Sequence, residues 1–262
     1  MIERRFRHAL LMVCLSLLPL AAVSDDACLR LTATGNSEYP PYLWRDPLNP
    51  QQLIGANADL LKYLGKQLGL EIEVVYAGPW SRAQEEVRTG RIDLMAGYFL
   101  TEARRQHVDY ITPPFLRTPS VIWVRQDNAF AYQQWADLKG RKGGTLVNNS
   151  HGQQFDEYAQ ANLTLEAVPS ARQAFEKLMH KRSDYVVYEQ YPGMALARTL
   201  GIAATVQVLQ PPVSSEGLYL AISRESPCNR PSLREALARE MAKIVDGALP
   251  EQWLKQNLER WQ

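Results

Sequence analysis

The stretch Arg88-Thr-Gly-Arg-Ile-Asp93-Leu-Met-Ala-Gly97 is echoed later in the chain by Lys181-Arg-Ser-Asp184-Tyr-Val-Val-Tyr188. In each, a helix end passes through a turn and an aspartate into a short apolar run. Such runs, bounded by turn signals, read as buried strands of a parallel sheet. Upstream of the first, Leu29 to Ala33 reads as a strand closed by Thr34-Gly35-Asn36. Pro40 and Pro41 bias their predecessors toward extended geometry, so Glu38 to Tyr42 cannot be helix. A polar loop is expected from there to about Gln52. Asn57 then caps a helix carrying Leu60, Leu61, Leu64 and Leu68, stopped by Gly69. Glu71 to Tyr76 follows as a strand. Pro79 opens a helix with Trp80, Ala83 and Val87 on one face, and Ile92 to Ala96 is the next strand. This βαβαβ order implies a parallel sheet with helices on its faces.

The same grammar recurs around the second stretch. Val121 to Val124 and Gly143 to Val147 read as strands. Ser150 caps a helix through Tyr158, Ser170 caps one holding Ala174, Phe175 and Leu178, and Tyr185 to Tyr188 is again a short buried strand. Gly217 to Ile222 supplies a late strand, followed by helices starting at Pro231 and Leu249. Two similar halves make two lobes of one α/β architecture.

The 262 residues carry 29 Lys+Arg against 28 Asp+Glu and are 46% hydrophobic, an ordinary globular balance. No basic face for nucleic acid is evident. Residues 1–24 read as a cleaved secretion signal: Arg4, Arg5 and Arg7 precede an apolar centre, and Ala22 and Ser24 sit at the cleavage positions before Asp25. The apolar stretch falls short of the ~20 residues that span a bilayer. Losing three arginines and one glutamate with the signal leaves 26 basic and 27 acidic residues, so the mature chain is near neutral. Its two cysteines, Cys28 and Cys228, are an even count in an oxidising compartment, and one disulfide is favoured over two free thiols.

Signatures of catalysis and of cofactors are missing. The chain holds no dinucleotide or phosphate-binding glycine loop, no Gly-x-Ser-x-Gly elbow and no Ser-x-x-Lys pair. His107, His151 and His180 have no helical ligand spacing, and with only two cysteines no metal site is expected. His107 and His180 read as surface or core residues, whereas His151 lies beside a helix start.

Tyr39-Pro40-Pro41-Tyr42, Gly55 to Leu60, Trp80, Gly90-Arg91-Ile92-Asp93, Thr101-Glu102-Ala103-Arg104, Asp109 to Phe115, Leu138-Lys139-Gly140 and Asp184 to Glu189 occur in an order and spacing that resembles the periplasmic solute-binding proteins for polar amino acids. The resemblance spans nearly the whole mature chain. It implies two α/β lobes joined by two crossing strands, with lobe one over 25–119 plus 214–262 and lobe two over 120–213. A monomer is implied, which captures a small amino acid or carboxylate between the lobes for an inner-membrane ABC permease, without a cofactor. Carried over by position, Arg104 grips the ligand carboxylate with its planar guanidinium, and Glu189 accepts the ammonium. Tyr39 and Trp80 flank the ligand, Asn36 recognises its side chain, and Gly97 and Tyr98 line the cleft. The segment from Ser150 through His151 and Gly152 to Gln153 presents backbone N–H groups at a helix start as a second grip on an anion.

Departures from the family pattern bear on the ligand. Gly97, Tyr98 and Phe99 stand where the family has hydroxyl side chains, Gly152-Gln153-Gln154 replaces a Gly-Ser/Thr-Thr turn, and Glu189 is longer than the usual aspartate. Larger, more aromatic or less amino-acid-like ligands become eligible. An enzyme on the same fold, similar to the periplasmic cyclohexadienyl dehydratases, and a ligand-presenting subunit for a membrane sensor are the alternative functions.

Overall fold

The computed structural model describes residues 28–261; the signal expected over 1–24 lies outside them. From β1 (Arg30–Thr34) the chain forms three short strands, β2 (Glu38–Tyr39), β3 (Leu43–Arg45) and β4 (Leu53–Ile54), before α1 (Ala56–Leu68), β5 (Glu71–Val74), α2 (Trp80–Arg88), β6 (Leu94–Tyr98) and the single turn α3 (Glu102–Arg105). A long strand, β7 (Val108–Arg125), leads into β8 (Lys142–Leu146), α4 (Gln153–Asn162), β9 (Thr164–Val168), α5 (Ala171–Met179), β10 (Tyr185–Glu189) and α6 (Gln190–Thr199). A second long strand, β11 (Val206–Ser223), returns, and α7 (Pro231–Val245) and α8 (Leu249–Arg260) follow.

The main sheet runs β5-β1-β6-β11-β7-β10-β8-β9. On one flank β5, β1 and β6 are mutually parallel; on the other β10, β8 and β9 are parallel. The two long strands pair antiparallel with each other and join the flanks, with a register break between Leu209 and Ser214 of β11. Each flank, with its helices, is one lobe. β6 and β10 are the apolar runs of the two echoing stretches, and the echo is real: the side-chain oxygen of Asp93 accepts from Thr32 N, and that of Asp184 from Lys142 N, both at 2.8 Å. Each aspartate thus ties the start of an inner strand to the strand beside it.

Both faces of each flank are covered. In the first lobe, Leu60, Leu61 and Leu64 of α1 and Leu237, Met241 and Ile244 of α7 meet Leu31, Leu94 and Ile222 of the sheet. Trp80, Ala83 and Val87 of α2 cover Met95 and Ala221 on the opposite face. In the second lobe, Phe175 and Leu178 of α5 lie on Trp123, Val186 and Tyr188, and Phe155 of α4 lies on Tyr185 and Val187. Fully burying one such side chain contributes about 1.5–3 kcal/mol, so lobe cohesion is set by these faces. Tyr39, Tyr42, Phe99 and Leu218 of the first lobe join the second lobe's apolar cluster, making the core continuous across the cleft.

Several local expectations are corrected. Asn57 does not cap α1: Gly55 holds that position, and Asn57 is buried within the first turn, donating from Nδ2 to Ala96 O at 3.0 Å. The polar loop to Gln52 contains β3 and is flanked by β2 and β4, and the three form an antiparallel sheet too short to leave a periodic signature. Val121–Val124 and Gly217–Ile222 are only parts of the crossing strands, whose prolines hide their length in the sequence. β9 and α6 were not legible at all. Ser170 does cap α5, accepting from Gln173 N at 3.2 Å. Among the described residues no helix is long and apolar enough to cross a membrane.

Cys28 and Cys228 form a disulfide with Cα atoms 5.4 Å apart, tying the first described residue to the segment before α7 within one lobe. It closes a loop of 200 residues, worth on the order of 5 kcal/mol in the chain-entropy account. Thiol titration of the chain from residue 25, denatured without reductant, is expected to find no free thiol; two would refute the bridge.

Candidate functional site

Both inner strands point their C-terminal ends at the cleft between the lobes. Asn36, Tyr39, Trp80, Gly97 and Arg104 from the first lobe and Glu189 from the second line one cavity there, together with Phe99, Asn149 and Leu218. Its free volume is about 20 Å³, little more than one water needs. Gly97 is required where it stands. Its φ is +91°, and a Cβ would run into the Nδ2 of Asn57.

Arg104 owes its place to a local motif. Thr101 is the N-cap of α3, extended in backbone, and its Oγ1 accepts from Arg104 N at 3.3 Å. The Thr-x-x-Arg spacing is therefore a capping interaction that sets the arginine at the end of one turn. The guanidinium lies 4.1 Å from the centroid of the Tyr98 ring and 5.8 Å from that of Trp80. It donates to Phe99 O at 3.1 Å, Gln84 Oε1 at 3.4 Å and, across the cleft, Asn148 O at 3.2 Å. Gln84 Nε2 donates to the same Asn148 carbonyl at 3.2 Å. Further contacts between the lobes run from Glu102 N to Gln153 Oε1 at 3.2 Å, from Tyr188 OH to Glu38 O at 2.9 Å, and from Ala171 N to Glu38 Oε2 at 3.2 Å. The lobes are closed on each other.

Glu189 ends β10, caps α6 and is 2% exposed. Asn149 Nδ2 donates to its Oε1 at 3.4 Å, and Oε2 has no hydrogen-bond partner among the described residues. Burial pushes its carboxyl up to about 7, against smaller lowering effects from Asn149 and Arg104. His151 Nδ1 lies 3.9 Å from Glu189 Oε1, yet burial drives the imidazole down to about 3. The contact therefore joins a neutral imidazole to a carboxyl that titrates near neutrality and is no ion pair. His151 Nε2 is 2.8 Å from Thr145 Oγ1, which makes it a core residue beneath the cavity. Trp80 Nε1 is the second buried polar atom of the lining that lacks a partner among the described residues.

A larger groove of about 540 Å³ opens beyond Arg104, between α2 and α4. Tyr98, Ser150 and Gln153 line it, as do Gln84, Asn148 and the exposed His107. Ser150 is not a helix cap: Gly152 holds that position for α4, and the Ser150 hydroxyl donates to Asp156 Oδ2. His151 N donates to Asp156 Oδ1 at 2.9 Å and Gly152 N to Ser150 Oγ at 3.2 Å, so two of the amides expected to grip an anion are already engaged. Gly152, at φ +100°, lines neither space; a Cβ there would strike the Glu216 carboxylate on β11. Gln84 could have been found, one turn after Trp80 on the same face of α2. Leu218 and Asn148 left no signal.

The model of the bacterial extracellular solute-binding proteins, family 3, matches residues 31–261. The chain belongs to that family. A comparison with curated proteins found no match. Among solved structures, a mutant of ArgBP from T. maritima is similar at 21% identity and a TM-score of 0.71, over 86% of this chain and 95% of that one. The amino acid ABC transporter substrate-binding protein AbpA from Streptococcus pneumoniae, bound to L-arginine, is similar at 17% identity and 0.72, over 88% and 95%. A histidine kinase sensor domain with similarity to periplasmic binding proteins gives 23% and 0.73, over 87% and 97%. These likenesses establish the two-lobed fold.

The two buried titrating groups set opposite pH dependences. Glu189 keeps its proton longer in the folded state, so its contribution is full below about pH 4.5 and is lost as pH rises through about 7. That of His151 is full above about 6.5 and is lost as pH falls toward about 3. Glu189→Gln removes only the first. Relative to the unsubstituted protein, this variant should gain stability between about pH 5 and pH 8, by up to roughly 3 kcal/mol. Urea unfolding at the two pH values reads it, and a constant difference would mean that the carboxyl ionises normally.

Proposed function

We propose that the protein captures a small amino acid, or a related zwitterion or carboxylate, in the periplasm and delivers it as a monomer to an inner-membrane ABC permease, without turnover. One observation carries the reading: the cavity sets hydrogen-bond donors on one lobe against an acceptor on the other. Arg104 and the unpartnered Trp80 Nε1 belong to the first lobe, and the unpartnered Glu189 Oε2 belongs to the second. Buried polar atoms without partners are costly, about 1–3 kcal/mol each. A ligand carboxylate and ammonium would satisfy both ends and shift the lobes toward closure.

The arginine-bound solved structure supports an amino-acid ligand. The basic-then-apolar leader supports export. On this reading the lobes divide as 25–119 plus 214–262 and 120–213, so the crossing strands are the hinge and the disulfide spans no moving joint. Tyr39 and Asn36 face the ligand from the first lobe. Entry requires the lobes to part, because the closed cavity of about 20 Å³ admits no amino acid.

Thermal unfolding of refolded mature protein against amino acids, amines and small carboxylates tests the proposal. A ligand at about 100 times its dissociation constant adds ~2.7 kcal/mol. Arg104→Ala should weaken the responding ligand by roughly 2–5 kcal/mol, about 30- to several thousand-fold. An unchanged affinity would retire Arg104 as the carboxylate grip, and product formed from any ligand of the panel would overturn capture without turnover.

A further inference from the structure

We infer that the solute is an amino acid whose side chain is extended by a neutral amide-bearing group, and that this extension lies in the groove between α2 and α4. The inference rests on the zwitterion site proposed above. Two spaces meet at Arg104 and Asn149, which line both. The inner one, about 20 Å³, has room for the charged head only by displacement of its lining, whereas the outer one, about 540 Å³, falls in the range of ligand pockets. A head placed between Arg104 and Glu189 therefore has one direction with room for its side chain, outward past Arg104.

The groove's chemistry defines what would lie there. Apart from Arg104, which the proposed solute head occupies, and the exposed His107, its charges are engaged: Glu85 pairs with Arg88 at 2.6 Å, Asp156 holds Ser150 and His151 N, and Glu157 accepts from Gln153. The side chains of Ser81, Asn148 and Gln160 line the groove, and no hydrogen bond from any of the three occurs among the described residues. One hydroxyl and two carboxamides, each able to donate and accept, match an amide better than a charge. The walls come from both lobes, Ser81 on α2 and Gln160 on α4, so an extension bound between them adds contacts that exist only on closure.

Calorimetric titration of the refolded mature protein would compare Nε-acetyl-lysine with lysine and γ-glutamylmethylamide with glutamate. Gln160→Trp and Ala103→Trp, both at exposed groove positions, fill the groove and leave the inner cavity untouched. At least one extended probe is expected to bind about tenfold or more tighter than its parent, equivalent to one or two good hydrogen bonds. The tryptophan variants should abolish that advantage. Parents that bind as tightly as their extended forms would overturn the inference while the amino-acid reading stands. An advantage that survives both variants would also overturn it, by placing the extension elsewhere. Binding by no amino acid, extended or plain, would overturn both.

Discussion

The antiparallel pairing of β7 with β11 is the constraint on which the rest depends. Among the described residues it is the ladder that joins the two flanks of the sheet, and it breaks register between Leu209 and Ser214. Ser120 of β7 lies at that point, paired on one side with Ser214 and on the other with Glu189. The crossing thus fixes where the end of β10 emerges. At the other flank β11 pairs with β6 through Tyr219 and Tyr98, which fixes where that strand ends. Two strand ends and two helix starts are brought to one cleft because two strands cross between the lobes.

Closure here is held by contacts between the lobes themselves. Glu38 reaches α5, Gln84 and Arg104 share the Asn148 carbonyl, and Tyr39, Tyr42 and Phe99 complete an apolar cluster of the opposite lobe. Against this stand a buried carboxyl whose second oxygen is unpartnered and an indole N–H in the same state. Apolar burial across the interface offsets the cost of those polar groups. The unmet hydrogen bonds lie on opposite sides of the cleft. A solute that meets both adds to the closed state alone, which is how differential binding moves a two-state equilibrium.

Electrostatics sharpen the same picture. Burial raises Glu189 to about 7 and lowers His151 to about 3, so near neutral pH the imidazole is uncharged while the carboxyl is divided between its two protonation states. Arg104 in turn is steadied by carbonyls, an amide and an aromatic face, none of which neutralises it. An anionic group is favoured at the arginine, and the state of Glu189 decides what accompanies it.

Much of this was legible before any coordinates. Apolar periodicity located α1, α2, α5, β6 and β10, because those elements bury one face or a whole strand and must be written in leucine, valine and aromatic residues. Thr101-x-x-Arg104 was legible because capping is local. The cysteine pair was legible by count. Asn57 and Ser150 looked like caps, yet tertiary partners, Ala96 O and Asp156, took their side chains instead. The crossing strands, the short sheet of β2 to β4, the pairing of Arg104 with Asn148 and the division of the cleft into a small cavity and a larger groove are contacts between distant segments. The sequence determined which residues could hold a charged solute. Only the folded chain decided how much room they leave it, because volume is a property of what packs around a residue.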